Sequence, residues 1–133
     1  MDENVKQKLL GKTVFSENSE SEYIPEAYQD EEIPDEYKLK VSVKPLTTEE
    51  KRDFRKKSRE NNEIKFEDHV RNTLCKKITN IENLWDLATE EKVEIVKGDA
   101  GEIKRTDLDR IPDDIITDIL EHLLRISGLG KLN

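Results

Sequence analysis

The stretch "IPDDIITDILEHLLRI", Ile111–Ile126, decides how this chain is read. Ile115, Ile116, Ile119, Leu120, Leu123 and Leu124 recur at the three- and four-residue spacings of one helical face, with Ile126 near it. Pro112 suits the first helical position, where no N–H is needed. Asp113 and Asp114 favour the positive end of the helix dipole and Arg125 the negative end. Gly128 offers a left-handed stop. The apolar stripe is broad for so small a chain. Either it is wholly core, or part of it serves a partner helix or self-association. Ile116, Leu120, Leu123 and Leu124 are the candidate contact residues on that second reading.

Upstream, "KVEIVKGDAGEIK" reads as a short strand through Val93, Ile95 and Val96. A turn at Gly98–Gly101 follows, with a return through Ile103. In "IKFEDHVRNTLCKKITNIENLWDL", Phe66, Val70, Leu74 and Ile78 are spaced by four, which predicts a helix over 66–78. Trp85, the one tryptophan, is expected to anchor the core. Thr47 and Glu50 have capping-box spacing ahead of a helix over 48–60, in which Phe54 is the single large apolar residue. Tyr37, Leu39, Val41 and Val43 alternate with Lys38, Lys40, Ser42 and Lys44, the period of a half-buried strand that Pro45 ends.

The chain has 133 residues, 33% hydrophobic and 41% charged, with a net charge of −8. Typical domains are about 45–50% apolar and about 25% charged. Residues 1–37 hold 11 acidic and 3 basic side chains, so the whole excess of negative charge sits there and the rest is neutral. Apolar residues before Tyr37 are scattered. Leu9 and Leu10 are placed to nucleate one helical turn ending at Gly11, and 16–22 offers no core residue. The expected organisation is an acidic, largely disordered arm over 1–36 and a small domain over 37–133. The expected fold class is α+β, mainly helical, with a short N-terminal strand or strands and about three helices.

The arm carries Ile-Pro-acid-X-Tyr twice, at Ile24–Tyr28 and Ile33–Tyr37, and Ile-Pro-Asp-Asp recurs at Ile111–Asp114. Proline presets φ and acids favour a first turn, so this is a helix-start signal. Before an apolar stripe it propagates. In the arm nothing follows that could bury a face, and nucleation without packing is unfavourable. Turns are expected there, with Tyr28 and Tyr37 as isolated anchors. The repeat is either a chance recurrence in an acidic linker or a pair of docking elements that order on a partner.

Chemistry is sparse. His69 and His122 read as solvated helix histidines, and no CxxC, HExxH or calcium-loop spacing occurs. Cys75, the one cysteine, excludes an internal disulfide and reads as a small buried hydrophobe. Gly98–Gly101 lacks the context of a phosphate loop. No cofactor, metal or catalytic residue is expected, and no run approaches the ~18 apolar residues of a membrane span. The basic cluster Lys51, Arg52, Arg55, Lys56, Lys57 and Arg59 reads as a solvated face, a nucleic-acid contact or an electrostatic partner for the arm. Overall acidity argues against ordinary DNA binding.

The order of segments resembles a known family. A strand "YKLKVSVKPLT" opens into the charged helix "TEEKRDFRKKSREN". A helix then runs into "ITNIENLWDL", a Gly-containing turn follows, and "LDRIPDDIITDILEHLLRISGL" closes the chain. This is similar to the tail assembly chaperones of tailed bacteriophages and prophage tail-like particles, over about residues 37–130. The resemblance implies a non-enzymatic protein of the bacterial host cytoplasm. It would bind the long tape measure protein, recruit tail tube subunits and be absent from the finished tail. Many members are made in two lengths by a frameshift, and this chain would be the short form. The resemblance carries over no catalytic residues and leaves the arm unexplained. Two alternatives stand beside it: a nucleic-acid-associated regulator using the 51–59 helix, and a structural tail or connector component of the virion.

Overall fold

The computed structural model describes residues 1–9 and 19–129. In chain order it has helix α1 (Glu3–Leu9), strands β1 (Ser21–Tyr23) and β2 (Lys40–Val43), helices α2 (Thr48–Arg59) and α3 (Glu63–Lys77), and strands β3 (Ile78–Glu82), β4 (Trp85–Asp86) and β5 (Glu91–Lys92). Helices α4 (Arg105–Leu108) and α5 (Asp113–Ile126) complete it. The fold is mixed α+β, as expected. The helix end expected at Leu10–Gly11 lies outside the described residues.

β2 is the central strand of an antiparallel sheet ordered β1-β2-β3. Val41 faces Tyr23 on one side and Ile81 on the other. Central placement buries Val41, Val43 and also Ser42, which the alternation had put on a wet face. The Ser42 carbonyl accepts the Thr79 hydroxyl at 3.2 Å. The strand begins at Lys40, not Tyr37, because 35–37 is wound into a turn.

The Thr47–Glu50 capping box forms with both reciprocal hydrogen bonds, at 2.9 and 3.2 Å. The chain turns at Asn62, whose side chain caps α3. Lys77 at the end of α3 pairs with Glu50 at the start of α2, so the two helices run antiparallel. Phe54, the single large apolar residue of α2, is its one buried residue, edge-on to Phe66 with centroids 5.4 Å apart.

α5 contributes Ile115, Ile116, Ile119, Leu123, Leu124 and Ile126 to the core. Arg71 of α3 bonds Asp109 at 3.1 Å and also pairs with Asp113 at the start of α5. Arg105 of α4 reaches Asp68, Asn72 and Asp109, each at 3.0 Å. These charged ties set the outer edge of the α3–α4–α5 layer. Gly128, at φ +78°, takes the left-handed stop expected of it.

All three Ile-Pro signals produce one local geometry. Pro25, Pro34 and Pro112 each cap a helical start, at φ −54°, −60° and −57° with ψ 147°, 147° and 149°. The amide three residues on donates to each proline carbonyl, at 2.8, 2.9 and 3.1 Å. Pro112 thus stands one position before the first helical residue. Only at Pro112 does an apolar stripe follow, and only there does an α-helix grow. At Pro25 and Pro34 a single 3-10 turn forms, which is the turn expected from nucleation without packing.

The arm differs from expectation in its second part: in 21–36, β1 pairs with β2, and Tyr23 and Tyr28 pack on the core. Isolated apolar residues suffice here because β1 adds to an existing sheet edge and does not need a core of its own. Trp85 is also corrected. It is half-buried and lies outside the core, on β4, where its indole nitrogen donates to the Glu36 carbonyl at 3.2 Å. Tyr37 and Lys92 cover its ring. Phe54 is the buried large aromatic. No strand forms through Val93–Val96; the pairing is instead Trp85–Asp86 with Glu91–Lys92. The Gly98–Gly101 turn does form, and the return through Ile103 is a single bridge to Lys97. No helix among the described residues is long and apolar enough to cross a membrane.

Candidate functional site

The α5 stripe divides between core and surface. Leu123 and Leu124 are buried in the core, so neither faces a partner directly. Leu120 is half-buried, and with Ile116 it lines a groove of about 290 Å³ between α3 and α5. Phe66 and Val70 of α3 complete the apolar floor. Glu67, Arg71, Asp113 and Thr117 form its rim. The geometry follows from spacing. Phe66 and Val70 are one turn apart on α3, Ile116 and Leu120 one turn apart on α5, and the Arg71–Asp113 pair holds the helices together at one end. A groove with an apolar floor and a charged rim suits the apolar edge of an amphipathic helix. The sequence singles out Ile116 and Leu120 but not Phe66 and Val70 as groove residues, because the spacing of the α3 stripe marks a helix without showing what the stripe faces.

On the other side of α5, a polar cluster ties down β1. Ser21 Oγ and His122 Nε2 are 2.9 Å apart, both side chains buried. The Tyr23 ring lies on the His122 ring, and its hydroxyl donates to Asp118 at 2.6 Å. The second Asp118 oxygen accepts the Glu26 amide at 2.7 Å. His122 is therefore not the solvated residue expected; it is 2% exposed. A signal for this was present, since His122 continues the Ile115–Ile119 spacing toward Ile126. Burial holds the imidazole pKa down at about 4, helped by the Arg125 charge and opposed by Asp118. Neutral His122 has one N–H. Its Nδ1 is buried without a partner. Placing the proton on Nε2, donated to Ser21, avoids burying an unpaired N–H. Burial, then the Asp118 hydrogen bond and charge, push the Tyr23 phenol above its usual range. A serine–histidine pair closed over by a stacked tyrosine, with no carboxylate on Nδ1, acts as a structural clasp. A nucleophilic dyad needs the Ser oxygen open to substrate and the second ring nitrogen held.

The basic residues separate on α2. Arg52, Arg55, Lys56 and Arg59 are exposed and border one shallow groove on the face away from Phe54, with Thr48 at its end. Lys51 is half-buried at the side. The acids that flank the run are paired, Glu50 with Lys77 and Glu60 with Lys57, and Asp53 within it is exposed. Among the described residues the four groove cations have no acidic partner. Phe54 is buried against Phe66, so no aromatic stands beside them.

Tyr28 is half-buried against the core, and Tyr37, 44% exposed, packs on Trp85. His69 is half-buried beside Phe54 at 5.9 Å. Cys75 is buried, and burial raises its thiol pKa. No family model, curated protein or solved structure matches the chain.

Proposed function

We propose that this protein is a non-enzymatic binding protein of phage tail assembly. In that role it is a chaperone that holds the tape measure protein and recruits tail tube subunits. The observation that carries the reading is the open apolar groove of Phe66, Val70, Ile116 and Leu120 on an otherwise highly charged body. A holdase for apolar helical segments needs such a surface, and a charged body keeps the loaded complex soluble. The segment order from "YKLKVSVKPLT" to "RISGL" adds the resemblance described above. The nucleic-acid alternative has its basic face on α2 but no aromatic or base-reading group next to it. Co-expression with the long helical tail protein of a neighbouring gene tests the proposal: the chain should keep that protein soluble. Purified particles should lack the chain. Its presence there in fixed stoichiometry would favour the structural virion component.

A further inference from the structure

The apolar groove between α3 and α5 has an acidic border. Glu67 and Asp113 stand on its rim, and both are exposed. A second, shallower depression of about 440 Å³ lies between α5 and the turn at Glu26–Tyr28, and Glu26, Asp114, Asp118 and Glu121 line it. The two hollows meet at Thr117, which lines both. α5 thus presents Asp113, Ile116 and Leu120 to the groove and Asp114, Asp118 and Glu121 to the depression, with Thr117 between. Among the described residues Arg71 is the one cation lining either, and it is already tied to Asp109 and Asp113. These acids come from α3, α5 and the Glu26 turn, so it is the fold that gathers them around the apolar floor.

We infer that the groove takes an amphipathic helix whose apolar edge is flanked by lysine or arginine. The inference rests on the reading of this groove as the docking surface and names the chemistry of what docks there. A helix matches the floor, because Phe66 with Val70 and Ile116 with Leu120 are two apolar pairs, each one helical turn long. Apolar residues four apart on the guest seat along that floor. Their neighbours on the guest's two sides then fall beside Glu67 and beside the Asp114–Glu121 side of α5. Basic residues are favoured at those places. Their methylene stems cover the margin of the apolar floor while their charged ends reach the carboxylates. Acidic residues there meet like charge, which selects against helices of that kind. The net charge of −8 adds long-range attraction for a basic segment, but the apolar floor decides where it sits.

Fluorescence anisotropy with the full chain and three labelled synthetic peptides tests this. Each peptide is an alanine-rich helix of about 16 residues. The first has leucines four apart flanked by lysines. The second has the same leucines flanked by glutamates, and the third keeps the lysines but has alanine for leucine. The first should bind at least about tenfold tighter than either of the others. In E67K/E121K, whose changed residues are both exposed, the advantage of the lysine peptide over the glutamate peptide should shrink toward parity. Circular dichroism confirms that this variant folds. Equal binding of the lysine and glutamate peptides overturns the inference and leaves the groove standing as a docking surface. Equal binding of the lysine peptide with and without its leucines overturns it too, because attraction to the chain's overall charge then suffices. An undiminished preference in folded E67K/E121K puts the contact elsewhere and overturns it. If no peptide binds, the reading of the groove as a docking surface fails, and the inference with it.

Discussion

The Tyr23 ring lies flat on the His122 ring, with centroids 4.2 Å apart and planes 9° from parallel. One residue sits in a stretch that sequence reading treats as an arm, the other in the middle of the strongest helix. Their stacking, with Ser21 and Asp118 on either side, makes residues 21–26 part of the domain.

Tyr23→Phe keeps the ring and removes the bond to Asp118. A charge-assisted hydrogen bond is worth about 1.5–3 kcal/mol, and Asp118 keeps the Glu26 amide, so the loss should fall near the lower end. Urea unfolding measures it. Hydrogen exchange should show protected amides in the Ser21–Tyr23 ladder, lost in Tyr23→Ala. Amides there that exchange at the unstructured rate in the unsubstituted chain would mean β1 is not held.

His122 sets a pH dependence. Its folded pKa is about 4, below the unfolded value of 6.5, so the unfolded state binds the proton first. Stability from a neutral His122 is complete above about pH 6.5 and is lost as pH falls toward 4, with a ceiling on the order of 3 kcal/mol. The facing groups are Ser21 and Tyr23 on β1 and Asp118 and Arg125 on α5. His122→Gln should flatten unfolding free energy against pH across that window while leaving acid unfolding by carboxylates in place. An unchanged slope would show that His122 is not buried neutral.

Phe54 and Trp85 should rank opposite to their size. Phe54→Ala empties a fully buried site and should cost about 3–5 kcal/mol. Trp85→Ala removes a half-buried ring and one hydrogen bond and should cost about 1–2 kcal/mol. Chemical denaturation of both variants checks the order; a larger loss at Trp85 would return it to the core.

Much of the fold could be read from local signals. The α5 stripe, the capping box at Thr47 and the left-handed Gly128 depend on residues within a few positions of one another, so spacing alone reveals them. The proline turns are the clearest case: the same dipeptide starts a helix only where Ile115, Ile116 and Ile119 follow. What could not be read depends on distant partners. β1 exists because β2 offers it an edge, and Tyr23 is 95 residues from the Asp118 it bonds. Trp85 was expected in the core from residue type, but its indole is drawn to the Glu36 carbonyl at the sheet end. For the groove, periodicity located Ile116 and Leu120 on the right face. It could not show that Ile116 is buried in the core while Leu120 stays half-exposed beside α3.

The groove between α3 and α5 is proposed as a working surface. Leu120→Glu tests it most directly, because Leu120 lines the groove and is only half-buried. Leu123→Glu is the control, since Leu123 is fully buried and a charge there should unfold the domain. Circular dichroism reports folding, and co-expression with the neighbouring long tail protein reports solubility of the partner. Leu120→Glu should fold like the unsubstituted protein yet leave the partner insoluble. A folded Leu120→Glu protein that keeps the partner fully soluble would contradict it.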